Sequence, residues 1–264
     1  MGLPKNQKAL LISLSGPSSS GKTTLARLLR DLLPNTFILH EDDFYKPEED
    51  LPLRAGHRDW DCPAAIDLPS LTKALEYIKS TGNFPPFVNS KEDQNTIGNC
   101  PASPAQISLA KAIIASSPIL SSSWPEDLKI CILDGFLLYS QSPEFIPILS
   151  RIDIKLFLLA SEEKAVARRR ARDGYVTLEG FWKDPEGYVE DVVWPNYVEQ
   201  HAYLFEGGDV KKGKLDRRVL EREGILAMGD GEGEGEEGFG EVLVWAVGEV
   251  VNKLEGILVE GGGK

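Results

Sequence analysis

Residues 16 to 23 read Gly-Pro-Ser-Ser-Ser-Gly-Lys-Thr, an unbroken G-x-x-x-x-G-K-T string, and no other stretch of the chain limits its fold so tightly. The apolar run Ala9 to Leu14 before it has the length of a buried parallel strand. The run Lys22 to Leu33 after it places Leu25, Leu28, Leu29, Leu32 and Leu33 on one helical face. Gly16 and Gly21 permit a backbone whose N–H groups turn inward toward phosphate oxygens, and the helix N-terminus adds partial positive charge. Ser18, Ser19, Ser20 and Thr24 fill out the cradle, Lys22 is expected to reach the terminal phosphates, and the Thr23 hydroxyl is expected to ligate Mg2+. With ordinary composition the four fixed positions arise by accident in about one chain of this length per hundred, and the strand-loop-helix context lowers that further. The string predicts a nucleoside triphosphate site.

The remaining chain alternates strand and helix patterns. Thr36 to His40 reads as a second strand, Leu128 to Leu133 as a strand ending at Asp134, Ile154 to Leu159 as another, and Ile225 to Met228 as the last. Helical spacing covers Asp67 to Ile78, a segment capped by Ser161 that runs into Arg168–Arg172, Tyr188 to His201, and Val242 to Leu258. This pattern predicts an α/β protein of the P-loop NTPase fold, with a parallel sheet of about five strands flanked by helices and a helical lid. A single domain over residues 1–264 is expected, with surface insertions at 81–123, where a helix at Ala105 to Ala115 interrupts a Pro, Ser and Asn-rich stretch, and at 207–240.

Charge narrows the partners. The 264 residues carry 29 basic and 41 acidic side chains, a net charge of -12, and no basic stripe, so neither nucleic acid nor an anionic membrane is an expected partner. Part of the acidity lies in the Gly/Glu tract from Gly229 to Glu241, read as a solvated loop. Cys62, Cys100 and Cys131 have no C-x-x-C spacing and are odd in number, which argues against a disulfide framework and a structural zinc site. Neither a signal peptide nor a membrane span is read at the start. The expectation is a cytoplasmic protein, with a nuclear share left open and the oligomeric state undetermined.

Three groups of side chains carry the expected chemistry. Cys131-Ile-Leu-Asp134 has the form of a Walker B segment, so Asp134 is a candidate Mg2+ organiser, directly or through water; the competing reading is an Asp-Gly turn. Asp42 and Asp43 follow the neighbouring strand and approach the same cavity from the acceptor side, where transfer to a hydroxyl needs a base; Asp43 alternatively caps the next segment or contacts metal. Arg168, Arg169, Arg170 and Arg172 are more cations than a helix C-terminus needs, and suit a lid closing over transferring phosphates.

With these residues in view, the chain resembles the nicotinamide riboside kinase family, a branch of the uridine kinase-like P-loop kinases. The matching pieces are Gly16 to Thr24, His40-Glu-Asp-Asp-Phe-Tyr-Lys-Pro47, Asp59-Trp-Asp-Cys-Pro63, Leu133-Asp-Gly-Phe-Leu-Leu138, the arginine run with Tyr175, and Gly187-Tyr-Val-Glu-Asp-Val-Val-Trp-Pro-Asn-Tyr197. The resemblance implies ATP-dependent phosphorylation of the ribose 5'-hydroxyl of nicotinamide riboside, a small-molecule acceptor, with Asp42 as the base. It implies that Asp61 grips the ribose hydroxyls with Arg170 as a candidate second contact. Trp60 and Tyr175 would face the two sides of the base, which suits a pyridinium ring because aromatic faces attract cations. Asp134 stands where the family pattern carries Glu, one methylene longer. The arginines meeting the ATP phosphates are placed among Arg169, Arg170 and Arg172, with Arg169 and Arg172 assigned to ATP. The rival readings are a uridine/cytidine kinase and a nucleotide-binding regulatory protein without transfer. No N-K-x-D guanine motif occurs, which argues against a GTPase.

Overall fold

The computed structural model describes residues 7–90, 100–122, 128–172, 174–177, 180–228 and 238–261, without the side chains of 121–122, 175–177 and 261. In chain order the elements are β1 (Ala9–Ser15), α1 (Lys22–Leu32), β2 (Thr36–His40), β3 (Leu53–Arg54), β4 (His57–Arg58), α2 (Leu68–Thr81), α3 (Pro104–Ser116), α4 (Pro118–Ser122) and β5 (Lys129–Asp134). There follow α5 (Ile146–Leu149), β6 (Ile154–Phe157), α6 (Glu162–Arg170), β7 (Tyr175–Thr177), β8 (Gly180–Trp182), α7 (Trp194–His201), α8 (Arg217–Glu223), β9 (Ile225–Ala227) and α9 (Phe239–Gly261).

The main sheet runs β2-β5-β1-β6-β9, and all four pairings are parallel. β1 lies at its centre and every one of its residues is buried, as a strand covered on both faces requires. Its side chains alternate between two cores. Ala9 and Leu11 pack with α2 residues Leu71 and Leu75 and with Phe157, Tyr197 and Leu204; Leu10, Ile12 and Leu14 pack with Leu25 and Leu29 of α1 and Leu243, Val247 and Leu254 of α9. Helices therefore cover both faces, and the architecture is the expected P-loop NTPase fold.

Local signals set the helix ends. Asp67 caps α2 through the Ser70 N–H at 3.1 Å, and Gly82 closes it in the left-handed region at φ 73°. Ser103 and Gln106 form a capping box at the start of α3. Ser161 caps α6 through the Lys164 N–H at 3.3 Å.

The segment read as the first surface insertion holds the expected helix as α3, followed by α4. α3 packs against α9, and Ala102, Ala110 and Leu120 are buried in the same core as α1. Its helix carries Ile, Leu and Ala around most of its circumference, so the apolar residues that cover α9 do not show as a stripe in sequence. The second expected insertion also holds folded elements, α8 and the edge strand β9, while residues 229–237 of its Gly/Glu tract lie outside the described residues. Two short hairpins, β3–β4 and β7–β8, were not read from the sequence. No helix among the described residues is long and apolar enough to cross a membrane.

Candidate active site

The parallel register brings three strand ends together. Leu14 of β1 and His40 of β2 both pair with Asp134 of β5, so the loop leaving β1, the acidic turn leaving β2 and the carboxylate ending β5 share one edge. This is the C-terminal edge, where open α/β sheets build sites. Gly16 has φ 143°, and a Cβ there would collide with the Leu158 carbonyl oxygen, so the loop passes the end of β6 only as glycine. Gly21 is also left-handed, at φ 99°, and α1 starts immediately after it.

Lys22 is buried, and its ammonium donates to the carbonyl oxygens of Gly16 at 3.0 Å and Pro17 at 2.9 Å. Burial lowers its pKa, opposed by the negative charges of Asp134 and Asp42 and assisted by the positive charge of Arg172. The Thr23 hydroxyl donates to Asp134 Oδ2 at 2.6 Å, and His40 Nδ1 lies 3.3 Å from the same oxygen. Burial pushes the Asp134 carboxyl up, but His40, Lys22 and Thr23 outweigh it and hold Asp134 below the usual carboxylate range. The sequence motif containing His40 gives that residue no role. Its signal was positional, as the last residue of a strand adjacent to β5.

Asp42 is exposed and Asp43 half-buried on a 3-10 turn, Glu41–Phe44, that continues β2. Glu41 anchors that turn. Its side chain is fully buried, and Oε2 accepts the backbone N–H groups of Phe136 at 2.8 Å and Leu137 at 3.0 Å. A Cβ on Gly135 would sit 2.7 Å from Glu41 Cβ, so the close approach requires glycine after Asp134. Burial pushes the Glu41 carboxyl up to about 8. In sequence Glu41 is only one carboxylate of an acidic cluster; two backbone donors supplied by a distant loop are invisible there.

The acceptor side is assembled from side chains. Asp61 is buried beside Trp60. The Tyr188 hydroxyl donates to Asp61 Oδ2 at 2.9 Å and accepts the Trp60 N–H at 3.1 Å. Arg169 Nη1 donates to Asp61 Oδ1 at 3.2 Å and to the Ser18 hydroxyl at 2.9 Å, which ties the acceptor loop to the phosphate loop. The rest of its guanidinium is held by Asp184, from Nε at 2.7 Å and Nη2 at 2.9 Å. Burial raises the Asp61 pKa, with the Arg169 charge and the Tyr188 hydroxyl acting against it. For Asp184 the Arg169 hydrogen bonds and charge overcome burial and lower it. Asp59 braces this loop from below, accepting both hydrogen bonds of the Asn196 amide at 2.8 and 3.0 Å.

Thirty-three per cent of aligned positions, over 251 residues, are identical to nicotinamide riboside kinase of Schizosaccharomyces pombe, a match that spans 94% of this chain and 99% of that protein. Identity to nicotinamide riboside kinase of Saccharomyces cerevisiae is 35% over 219 residues, or 81% of this chain and 85% of the other. The chain belongs to the nicotinamide riboside kinase family. Nicotinamide riboside kinase 2 of Mus musculus is more distant, at 26% identity over 75% of this chain and 83% of its own length. No family model matches the chain.

Within this family frame the lid arginines sort themselves. Arg168 Nη1 reaches the Ser19 carbonyl at 3.4 Å, Arg169 holds Ser18, and the charge of Arg172 acts on Lys22, so three of the four surround the phosphate loop. Arg170 does not join them: its guanidinium is largely exposed and pairs with Glu190. Of the two, Arg169 is the one that reaches Asp61, while Arg170, expected as a second ribose contact, turns toward Glu190, because successive helical residues diverge by about 100°. The side chain of Tyr175 lies outside the described residues. Its backbone pairs in register with Trp182, an aromatic the sequence reading did not assign.

Proposed function

We propose that the protein transfers the γ-phosphoryl group of ATP to the ribose 5'-hydroxyl of nicotinamide riboside, giving nicotinamide mononucleotide, a step of NAD salvage. The observation that carries this reading is Arg169, which spans from the phosphate loop at Ser18 to the buried carboxylate of Asp61 and so sets donor and acceptor subsites side by side. The loop backbone from Gly16 to Thr24, with Ser18, Ser19 and Ser20, cradles the triphosphate. Lys22, Arg169 and Arg172 neutralise the charge that spreads over the transferring group. Lys22 is already aimed at the loop carbonyls of Gly16 and Pro17 and needs only to swing from them to a phosphate oxygen.

Asp61 accepts hydrogen bonds from the ribose 2'- and 3'-hydroxyls, Trp60 covers one face of the base, and Tyr175 is the proposed partner on the lid. Asp42, exposed on its turn and close enough for its charge to act on Lys22, takes the 5'-hydroxyl proton as the new P–O bond forms. Glu41 holds that turn against the exit of β5 and fixes the direction of approach.

Among the described residues no group of three or more His, Cys, Asp or Glu side chains is arranged to hold a metal alone. Thr23 Oγ1 and Asp134 Oδ2, 2.6 Å apart, offer the hard oxygen donors that suit Mg2+ completed by phosphate oxygens and water. Thr23 and Asp134 would hold Mg2+ there, and its charge would offset that of the triphosphate. His40 Nδ1, 3.3 Å from Asp134 Oδ2, helps to orient that carboxylate.

The test is ATP consumption by the purified protein with nicotinamide riboside, nicotinic acid riboside, uridine and cytidine. Nicotinamide riboside is expected to be the best acceptor. Uridine or cytidine as the better substrate would replace this reading with a pyrimidine nucleoside kinase, and nucleotide binding without acceptor-dependent turnover would leave a regulatory protein.

A further inference from the structure

The β3–β4 hairpin has no role in the chemistry above, yet it reaches the brace beneath the acceptor loop. Its turn is Ala55-Gly56, both with positive φ, 49° and 84°, the two-residue form whose twist matches antiparallel strands. Arg54, the last residue of β3, extends to α7, where Asn196 and Glu199 stand three residues apart on one face. Its Nη1 donates to Asn196 Oδ1 at 2.9 Å and to Glu199 Oε2 at 3.0 Å, and its Nη2 to Glu199 Oε1 at 2.6 Å.

Asn196 is buried, and its amide lies between a cation and an anion. Its carbonyl oxygen faces the Arg54 guanidinium, while its nitrogen donates to both oxygens of the buried Asp59 carboxylate. The reverse orientation would set the NH2 group against the guanidinium and the carbonyl against the carboxylate, so the two neighbours fix one orientation. Hydrogen bonding to Glu199 raises the Arg54 pKa, and the charge of Asp59 adds to that rise. From Asp59 the chain continues into the acceptor loop. Its Oδ1 accepts the Asp61 N–H at 3.0 Å, while the Tyr188 hydroxyl accepts the Trp60 N–H at 3.1 Å. Side chains therefore hold the backbone of both residues assigned to the acceptor.

We propose that Asn196 and Asp59 are positioning residues of the acceptor subsite: the Asn196 amide, oriented by Arg54, fixes the Asp59 carboxylate, and Asp59, through the Asp61 N–H, aims the Asp61 carboxylate at the ribose hydroxyls. The proposal rests on the ribose contact of Asp61 in the nicotinamide riboside reading and deepens it. Arg169 and Tyr188 hold the two oxygens of Asp61, whereas Asp59 holds the backbone that carries them. Loss of the brace leaves the charge of Asp61 in place and changes its direction. The effect falls on riboside binding, because Lys22 and the glycines of the phosphate loop are held by backbone of their own.

The experiment compares the unmodified protein with Asn196→Asp, Asp59→Asn and the double variant carrying both. It measures kcat and KM for nicotinamide riboside at saturating ATP, the KM for ATP, and thermal melts. Asn196→Asp sets two carboxylates against each other and is expected to raise the KM for nicotinamide riboside about 5- to 30-fold, with kcat changed less than about 3-fold. Asp59→Asn keeps an oxygen for the Asp61 N–H and should raise it less than about 5-fold. In the double variant carboxylate and amide exchange places and Arg54 gains a charged partner, so the KM should return to within about 3-fold of the unmodified value. The KM for ATP should not move in any of the three. A double variant no better than Asn196→Asp, or equal changes in the KM for ATP and for the riboside, would overturn the proposal and leave Asn196 a packing residue. If Asn196→Asp does not fold, Arg54→Met takes its place. Removing that cation frees the amide to turn and should raise the riboside KM about 2- to 5-fold; an unchanged riboside KM would overturn the proposal. Failure of the parent reading shows separately, as no turnover of nicotinamide riboside by the unmodified protein. If uridine is then the acceptor, the same comparison is made on it, because the ribose hydroxyls are common to both.

Discussion

The donor and acceptor halves of this site are built by opposite means. The donor half is one continuous stretch, residues 16 to 24, held by backbone: two left-handed glycines, a helix N-terminus and the carbonyls that park Lys22. The acceptor half draws Asp61, Arg169, Trp182, Asp184, Tyr188 and Asn196 from five separate segments and holds them by side-chain hydrogen bonds. A backbone-built subsite is rigid and reads a group every triphosphate shares. A side-chain network is adjustable one residue at a time, and discrimination between acceptors belongs there.

The comparison predicts that damage to the donor half removes chemistry on every substrate alike. Lys22→Ala should reduce turnover to background, a loss beyond about 10^3-fold, on any acceptor, because the charge it supplies grows in importance in the transition state. Its melting temperature should stay close to that of the unmodified protein, since the Gly16 and Pro17 carbonyls it leaves can take water instead; retained turnover would remove the loop lysine from the mechanism. Asp42→Asn keeps the shape of the turn and removes the base, so kcat should fall about 10^2- to 10^4-fold with little change in nucleoside affinity. A change in KM alone would make Asp42 a binding residue and pass the role of base to Asp43.

The same division explains what could be read from the chain. The five sheet strands followed from apolar runs, and the phosphate loop followed because its parts are contiguous, whereas the strand order β2-β5-β1-β6-β9 is set by pairings that no local run encodes. The β7–β8 hairpin has three residues per strand, too few for alternation to register. Within Arg168 to Arg172 the sequence offers four equal cations; only the placement of α6 decides that Arg169 turns inward to Asp61 while Arg170 meets Glu190. Tyr188 lay inside a matched motif, but its bonds to Trp60 and Asp61 cross 127 and more positions of chain, a pairing no local pattern encodes.

Damage to the acceptor network should be smaller and should depend on the sugar rather than the phosphate. Asp61→Asn retains size and the Tyr188 contact but loses the charge that Arg169 pairs with and the acceptor for two ribose hydroxyls. Arg169 remains clamped by Asp184, so the lid stays in place. The KM for all ribosides should rise about 10- to 100-fold together, corresponding to roughly 1.4 to 2.8 kcal/mol of hydrogen bonding to a charged group. Steady-state kinetics on nicotinamide riboside and uridine check it: a loss confined to one of them would assign Asp61 to the base instead of the sugar.

The gentlest way to separate the halves is acid. His201 ends α7, the helix that carries Asn196 and so braces Asp59 beneath the acceptor loop. It is fully buried between the Tyr197 ring, stacked at 4.7 Å, and the Phe157 ring at 5.7 Å, and in the neutral tautomer its Nδ1–H donates to the Tyr197 carbonyl at 3.0 Å. Burial lowers its pKa to about 4, below the usual 6.5. A depressed folded-state value means that the unfolded chain binds the proton first. The stability His201 contributes is therefore complete above pH 6.5 and is lost as pH falls from there toward 4, at up to roughly 1.4 kcal/mol per pH unit. Hydrogen exchange at pH 5 should show residues 194–201 losing protection ahead of β1 and β5, with the phosphate loop unchanged, and His201→Phe should remove that difference by keeping a stacked ring that cannot take a proton. Simultaneous loss across α7 and the central strands would mean that the two halves unfold as one, and that the contrast between them belongs to binding alone.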